Sequence, residues 1–276
     1  MTAWTDILAV HVAETQLTRA MCFEGCAGDD TPQQLDYYFW ILRRGAEVIV
    51  VDTSFNAAIA ARRGRVAALT PAAALDALGI DPAAVREVVM THLHYDHAGN
   101  SDLYPNARFW LQQAELDFVT GPDMADHTQS EHYEDEDIAR FMALRAAGRL
   151  HLIDGTAEVA PGVTLHPVPG HTPGVQVVRV EGAAGPVVLG SDAIHYYASD
   201  PSGLVFPVVR DPDQERAGYA LMRRLADGSE RIVAGHDPET RRRWPATRGH
   251  PRIHDVSPDP LVPMADCYPI AELPVG

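Results

Sequence analysis

The feature that most constrains this chain is a ten-residue stretch at positions 91–100, Thr-His-Leu-His-Tyr-Asp-His-Ala-Gly-Asn. It follows residues 85–90 (Val-Arg-Glu-Val-Val-Met), whose β-branched, apolar second half is typical of a strand covered on both faces. His92, His94, Asp96 and His97 therefore fall within six residues. Neutral imidazole nitrogens and carboxylate oxygens are the usual protein ligands of zinc and its neighbouring divalent ions. Four such groups on so short a stretch cannot all aim at one tetrahedral centre. With His92 and His94 directed one way and Asp96 and His97 another, the loop suits two adjacent cations.

The rest of the chain alternates strands and helices around that loop. Residues 7–12 read as a strand within an N-terminal segment, 1–34, whose polar second half can form a pocket wall. Residues 35–42 (LDYYFWIL) and 47–51 read as a hairpin turning at Arg43-Arg44-Gly45. From Thr70 to Gly79 a capping residue, a proline at the first helical position and a glycine stop mark a helix. A strand at 107–111 and a helix at 113–119 follow. Residues 121–148 are acidic and helical from 138, and predict an excursion over the site; His127 and His132 within it read as surface histidines. Strand patterns resume at 150–153, 163–168, 175–180, 187–189 and 231–234, with an amphipathic helix at 213–226. The stretch 237–276 is broken by prolines and reads as a wrapping tail, so the expectation is one α/β domain over 1–276.

Composition narrows the function classes. A chain of 276 residues that is 46% hydrophobic can bury a large core. Twenty-two basic against 38 acidic residues give a net charge of -16, which repels a phosphate backbone and argues against nucleic acid. Cys22, Cys26 and Cys267 do not make a disulfide framework and read as free thiols. The N-terminal residues lack a basic-then-apolar leader pattern, and no apolar run approaches the roughly 18 residues a membrane span needs. The expected setting is the cytoplasm, without membrane contact.

H-x-H-x-D-H at a strand end is the signature of the metallo-β-lactamase superfamily, which this sequence resembles. Later candidates stand in fitting contexts: His171 in Pro-Gly-His-Thr-Pro-Gly, Asp192 in Gly-Ser-Asp-Ala and His236 in Ala-Gly-His-Asp. The His-Leu-His-Tyr-Asp-His-Ala-Gly stretch and the late Gly-His-Asp are most similar to N-acyl-homoserine lactonases and related bacterial lactonases. The resemblance implies a four-layer αβ/βα sandwich. It implies that His92, His94 and His171 hold one metal, Asp96, His97 and His236 a second, and that Asp192 bridges them. Asp52, after the second hairpin strand, would orient the metal loop from beneath. Zinc is the default ion, with manganese, iron or cobalt suited to the same ligands.

Such a pair of ions would generate a bridging hydroxide able to attack an ester or lactone carbonyl, with Asp96 passing a proton to the leaving alkoxide. No G-x-S-x-G elbow competes with this chemistry. The implied partner is a small lactone or ester, an acyl-homoserine lactone among them, and a homodimer is a further expectation. One position departs from the pattern. Lactonases of this type carry a Tyr three residues after the bridging Asp; here that residue is His195, followed by Tyr196. Either His195 in place, or Tyr196 through a one-residue shift, is the candidate substrate contact. The alternatives are another esterase, thioesterase or amide hydrolase of the superfamily, or a metal-stabilised binding protein without catalysis.

Overall fold

In the computed structural model, which describes residues 3–228, 230–246 and 249–268, the layering follows from side-chain alternation along one hairpin. Strand β1 (Asp6–Thr18) pairs antiparallel with β2 (Pro32–Arg44). Leu8, Val10, Tyr37, Phe39 and Ile41 enter one core, while Ile7, Ala9, Tyr38, Trp40 and Leu42 enter another. A sheet that is apolar on both faces has to be covered on both. Strand β3 (Glu47–Val51) pairs antiparallel with β2, and β4 (Glu87–Val89), β5 (Arg108–Gln112) and β6 (Leu150–Ile153) add in parallel. A last strand, β12 (Ile253–Asp255), closes the other edge, giving the order β12-β1-β2-β3-β4-β5-β6.

The second sheet is built from β7 (Ala157–Ala160), β8 (Val163–Pro167), β9 (Gln176–Gly182), β10 (Gly185–Ser191) and β11 (Ile232–Ala234), in the order β11-β10-β9-β8-β7. Trp40, Val51 and Val89 of the first sheet share a core with Val177, Val188 and Leu189 of the second. Helices Ala57–Arg62, Pro71–Ala77, Gln113–Val119 and Asp135–Ala146 cover the outer face of the first sheet through Ile59, Leu75, Leu116 and Phe141. Helix Pro212–Leu225 packs Tyr219 and Met222 onto the second sheet. The layers run helix, sheet, sheet, helix.

Three features differ from the sequence expectation. Strand β1 runs on through polar residues to Thr18, because its partners are the equally polar residues at the start of β2. The tail does more than wrap: residues 253–255 pair with Leu8–Val10 of β1, and Glu239–Arg243 is helical with Arg243 and Trp244 buried. Residues 269–276 of that tail lie outside the described residues. Strand β7 is also unforeseen. The three cysteines are free, as expected, and all are buried. Among the described residues no helix is long and apolar enough to cross a membrane.

Candidate metal centre

Strands β3, β4, β10 and β11 deliver their carboxyl ends to one edge, where the loops that follow meet. Asp52 ends β3 with φ 61° and accepts from the Thr91 N–H at 2.7 Å and the Thr91 hydroxyl at 2.8 Å. That grip stops β4 and turns the chain. His94 then leads into a single helical turn, Tyr95–Ala98, which carries Asp96 and His97. His171 comes from the β8–β9 loop, Asp192 follows β10 and His236 follows β11.

The β8–β9 loop is held by close backbone approaches that exclude side chains. Gly170 has φ 152°, and a Cβ there would lie 2.4 Å from the Glu215 nitrogen. A Cβ on Gly174 would lie 2.2 Å from the Glu115 nitrogen. Glu115 itself is fully buried and accepts from the Leu93 N–H at 3.0 Å, the Thr172 hydroxyl at 2.6 Å and the Tyr133 hydroxyl at 3.2 Å. It thereby ties the loop of His92 and His94 to the loop of His171. Burial raises its carboxyl above the usual range, against the pull of those hydrogen bonds.

Seven side chains spaced from His92 to His236 converge, each no more than 9% exposed. Asp192 lies at the middle. Its Oδ1 is 3.1 Å from Nε2 of both His97 and His236, and its Oδ2 is 3.2 Å from His171 Nε2 and 3.7 Å from His92 Nε2. The Asp96 carboxylate is 3.8 Å from Nε2 of His97 and of His236. Two groups could each hold a cation: His92, His94, His171 and Asp192 on one side, Asp96, His97 and His236 on the other.

Hydrogen bonds on the far ring nitrogens aim the near ones. His97 Nδ1–H donates to Asp52 at 2.8 Å, His92 Nδ1–H to the Thr91 hydroxyl at 3.1 Å, and His236 Nδ1–H to the Asp36 carbonyl at 2.7 Å. Assigned this way from their partners, all three rings turn Nε2 inward, where a neutral ring offers a lone pair. Nε2 of His92 and of His97 is buried without a hydrogen-bond partner. His94 Nδ1 and His171 Nε2 face each other at 2.9 Å. Converging lone pairs of this kind need a proton or a cation between them, and the donor set fits divalent zinc-like ions.

The electrostatics agree. Burial, reinforced by neighbouring imidazoles, holds His92 and His94 well below the ordinary histidine range, so both are neutral donors. Burial opposes charge on His97 and His236 as well, yet the Asp192 and Asp96 carboxylates win and raise both. Burial likewise opposes the Asp192 carboxylate, which the surrounding imidazoles hold well below its usual range. Cation binding to the His97 side would therefore release protons. A further trio, His11, Glu14 and Asp36, does not need a metal, because Arg241 (2.7 Å from Asp36) and Arg252 (3.1 Å from Glu14) already supply positive charge.

Above these groups opens a cavity of about 230 Å³. Its floor is made by His94, Asp96, His171, Asp192, His195 and His236, and Leu17, Met21, Leu35 and Phe206 form an apolar wall. His195 lines the cavity: its Nε2 is 3.2 Å from Asp192 Oδ2 and its ring stacks on Phe206 at 4.2 Å. Tyr196 does not. It is fully buried, and its hydroxyl donates to the Gln34 carbonyl at 3.1 Å and lies 3.3 Å from Cys22 Sγ. A one-residue step along this stretch turns the side chain into the outer core, so Tyr196 is corrected from substrate contact to packing residue. His132 is corrected too: it lines the cavity with its ring 5.4 Å from that of His94, whereas His127 is exposed. Glu115, Arg65 and His132 all serve or border the site without a sequence signal, because each sits in a segment that reads as helix surface or polar loop.

The Metallo-beta-lactamase superfamily profile matches residues 34–236. The chain belongs to that superfamily. Among relatives within it, N-acyl homoserine lactonase AttM of Azorhizobium caulinodans is 32% identical over 192 residues, 66% of this chain and 68% of that one. An N-acyl homoserine lactonase of a Bacillus species is 36% identical over 120 residues, and the match spans only 42% of its length. Among solved structures, a quorum-quenching N-acyl homoserine lactone hydrolase superposes with a TM-score of 0.72 at 21% identity, covering 86% of this chain and 94% of that one. AidC, a dizinc quorum-quenching lactonase, gives 0.67 at 16% identity over 94% and 96%. At such identities these two establish the shared αβ/βα fold alone.

Proposed function

We propose that this chain is a metal-dependent hydrolase of ester bonds that opens a small lactone ring at a dinuclear centre. The observation that carries the reading is Asp192, whose two oxygens face two separate groups of imidazoles. His92, His94 and His171 would hold one cation, Asp96, His97 and His236 the other, and Asp192 would touch both. When bound, such a pair lowers the pKa of a shared water and polarises the substrate carbonyl. The chain's own groups supply the rest. Asp96 borders the cavity and can carry a proton to the leaving alkoxide, which an ester or lactone needs as its C–O bond breaks. His195, driven down to about 3 by burial, is a neutral imidazole whose N–H can hold a carbonyl oxygen. The apolar wall keeps water off the remainder of the substrate. The relatives named N-acyl homoserine lactonase make acyl-homoserine lactones the first substrates to try.

A panel of lactones, open-chain esters and thioesters, assayed with and without chelator beside elemental analysis of the protein, tests this. Chelator-sensitive ring opening is expected. Tight lactone binding without turnover would instead make the chain a metal-stabilised binding protein, and preference for thioesters would move it to another branch of hydrolases.

His195→Phe should lower kcat by about a hundredfold, the usual cost of one lost donor to a developing oxyanion. Metal content should stay unchanged, since the stacked ring on Phe206 is preserved. A fall in metal content would make His195 a ligand, as its place beside Asp192 and His236 permits.

A further inference from the structure

Strand β2 has an open edge where it reaches the metal centre. Its pairing with β3 covers only residues 40–44, so on that side the backbone groups of Asp36 lie beyond the end of β3. His236 fills the gap from the loop after β11. Its carbonyl accepts from the Asp36 N–H at 2.9 Å, and its ring Nδ1–H donates to the Asp36 carbonyl at 2.7 Å. The imidazole stands in for the missing strand, and both the backbone and the ring of His236 are fixed on one residue. The Asp36 side chain then holds the same loop a second time. It is fully buried, and Arg241 Nε lies 2.7 Å from its Oδ2. Arg241 belongs to helix Glu239–Arg243, a few residues after His236. Tyr38 and Gln34 donate to the same carboxylate at 2.9 Å and 2.7 Å.

His97 and His236 face the same side of Asp192 but are steadied differently. His97 has the Asp52 carboxylate directly behind it. His236 has only a carbonyl, and that carbonyl is placed no better than the strand end that carries it. The Asp36 carboxylate closes a loop of contacts: from the Asp36 backbone to His236, along the chain to Arg241, and back to the Asp36 side chain. Such a closed path resists both peeling of the segment and rotation of the ring. An ion pair suits the task, because low local dielectric strengthens it and leaving either charge alone is costly. We propose that the Asp36–Arg241 pair is a clasp that positions His236 for the cation it would share with Asp96 and His97. The consequence for the cation rests on the dinuclear reading, whereas the clasp itself is a property of the metal-free chain.

Two measurements on the full chain test this, one without metal and one with it. In the metal-free protein, hydrogen exchange followed by NMR reads the Asp36 amide, which is protected while His236 stays docked. Arg241→Gln should speed that exchange by about tenfold and leave the amide of Ile41, buried between β1 and β3, unchanged. Zinc titration against a competing chelator reads the affinity of each group. Arg241→Gln should weaken the Asp96, His97 and His236 group by about tenfold, the lower end of the cost of losing support behind a metal-binding histidine, and leave the His92 group within about twofold. The Arg241 side chain is 36% exposed, so this change does not hollow the core. Arg241→Lys should stay within about threefold of the wild type, because an ammonium still pairs with the carboxylate. Asp36→Asn breaks the same link from its other end, and the double variant should lose no more than the weaker single variant, as residues acting as a unit do. Losses that multiply in the double variant, exchange and affinity both unmoved by Arg241→Gln, or an equal fall at both groups with a lower melting temperature would overturn the proposal. Faster Asp36 exchange in Arg241→Gln, in a chain that takes up no second cation, would retain the clasp and overturn the dinuclear reading. Two tightly held cations with Asp36 exchange unmoved by Arg241→Gln would do the reverse.

Discussion

Asp192→Ala should yield a folded protein that has lost cations from both groups and at least about a thousandfold in kcat/KM for any lactone it opens. The argument starts from geometry: each Asp192 oxygen stands 3.1–3.2 Å from imidazole nitrogens of a different group. Unit charges about 4 Å apart interact by about 4 kcal/mol even at an effective dielectric of 20, and two divalent ions repel roughly fourfold more strongly. A carboxylate between them offsets part of that at both ions, so its removal weakens the two sites together. The fold should hold, because the backbone at Asp192 is kept by β10 and by neighbours such as Ala193, whose N–H donates to the Gly190 carbonyl at 3.1 Å. Elemental analysis, circular dichroism and turnover measured on one preparation check the three parts. Two retained cations with full activity would show that Asp192 is a bystander. Loss of only one cation would assign it to a single site.

Much of this architecture was legible because it rests on local pattern. The run at 85–90 and the dense histidine loop after it fix a strand end and its chemistry within a few residues. The alternation Tyr37-Tyr38-Phe39-Trp40 requires covering on both faces, and both cores are present. What sequence could not yield was anything decided by a partner far along the chain. Strands β7 and β12 are only four and three residues long, and exist because β8 and β1 offer edges to pair with. Spacing alone could not choose between His195 and Tyr196, since adjacent residues point opposite ways and the backbone after Asp192 sets the phase. Polar segments such as 121–148 read as solvated surface whether or not one residue, here His132, turns inward. The glycines at 170 and 174 read as turn residues, while their use is to let helices carrying Glu215 and Glu115 come close.

Asp52→Asn separates orientation of a ligand from its identity, and should weaken cation binding at the Asp96, His97 and His236 group by about tenfold to a hundredfold, the usual cost of losing a partner behind a metal-ligating histidine. In the native chain Asp52 Oδ1 accepts from the Thr91 N–H, and Oδ2 accepts from the Thr91 hydroxyl and from His97 Nδ1–H at 2.8 Å. An amide has one acceptor where two are needed. If its NH₂ faces Thr91 N–H, a buried backbone donor is left unpaired at a cost of about 1–3 kcal/mol. If its NH₂ faces His97 instead, the Thr91 hydroxyl can rotate and the imidazole can move its proton to Nε2, which costs less. The second arrangement therefore prevails, and it puts a proton on the very nitrogen that faces Asp192. Zinc titration against a competing chelator should show one class of site weakened and the His92 class near normal. Melting temperature should change little, and activity should recover in part at high zinc, because the seven candidate ligands are all still present. Unchanged affinity at both classes would mean that the Asp52 contact does not set the tautomer of His97, and that the loop is oriented by Thr91 and Glu115 alone.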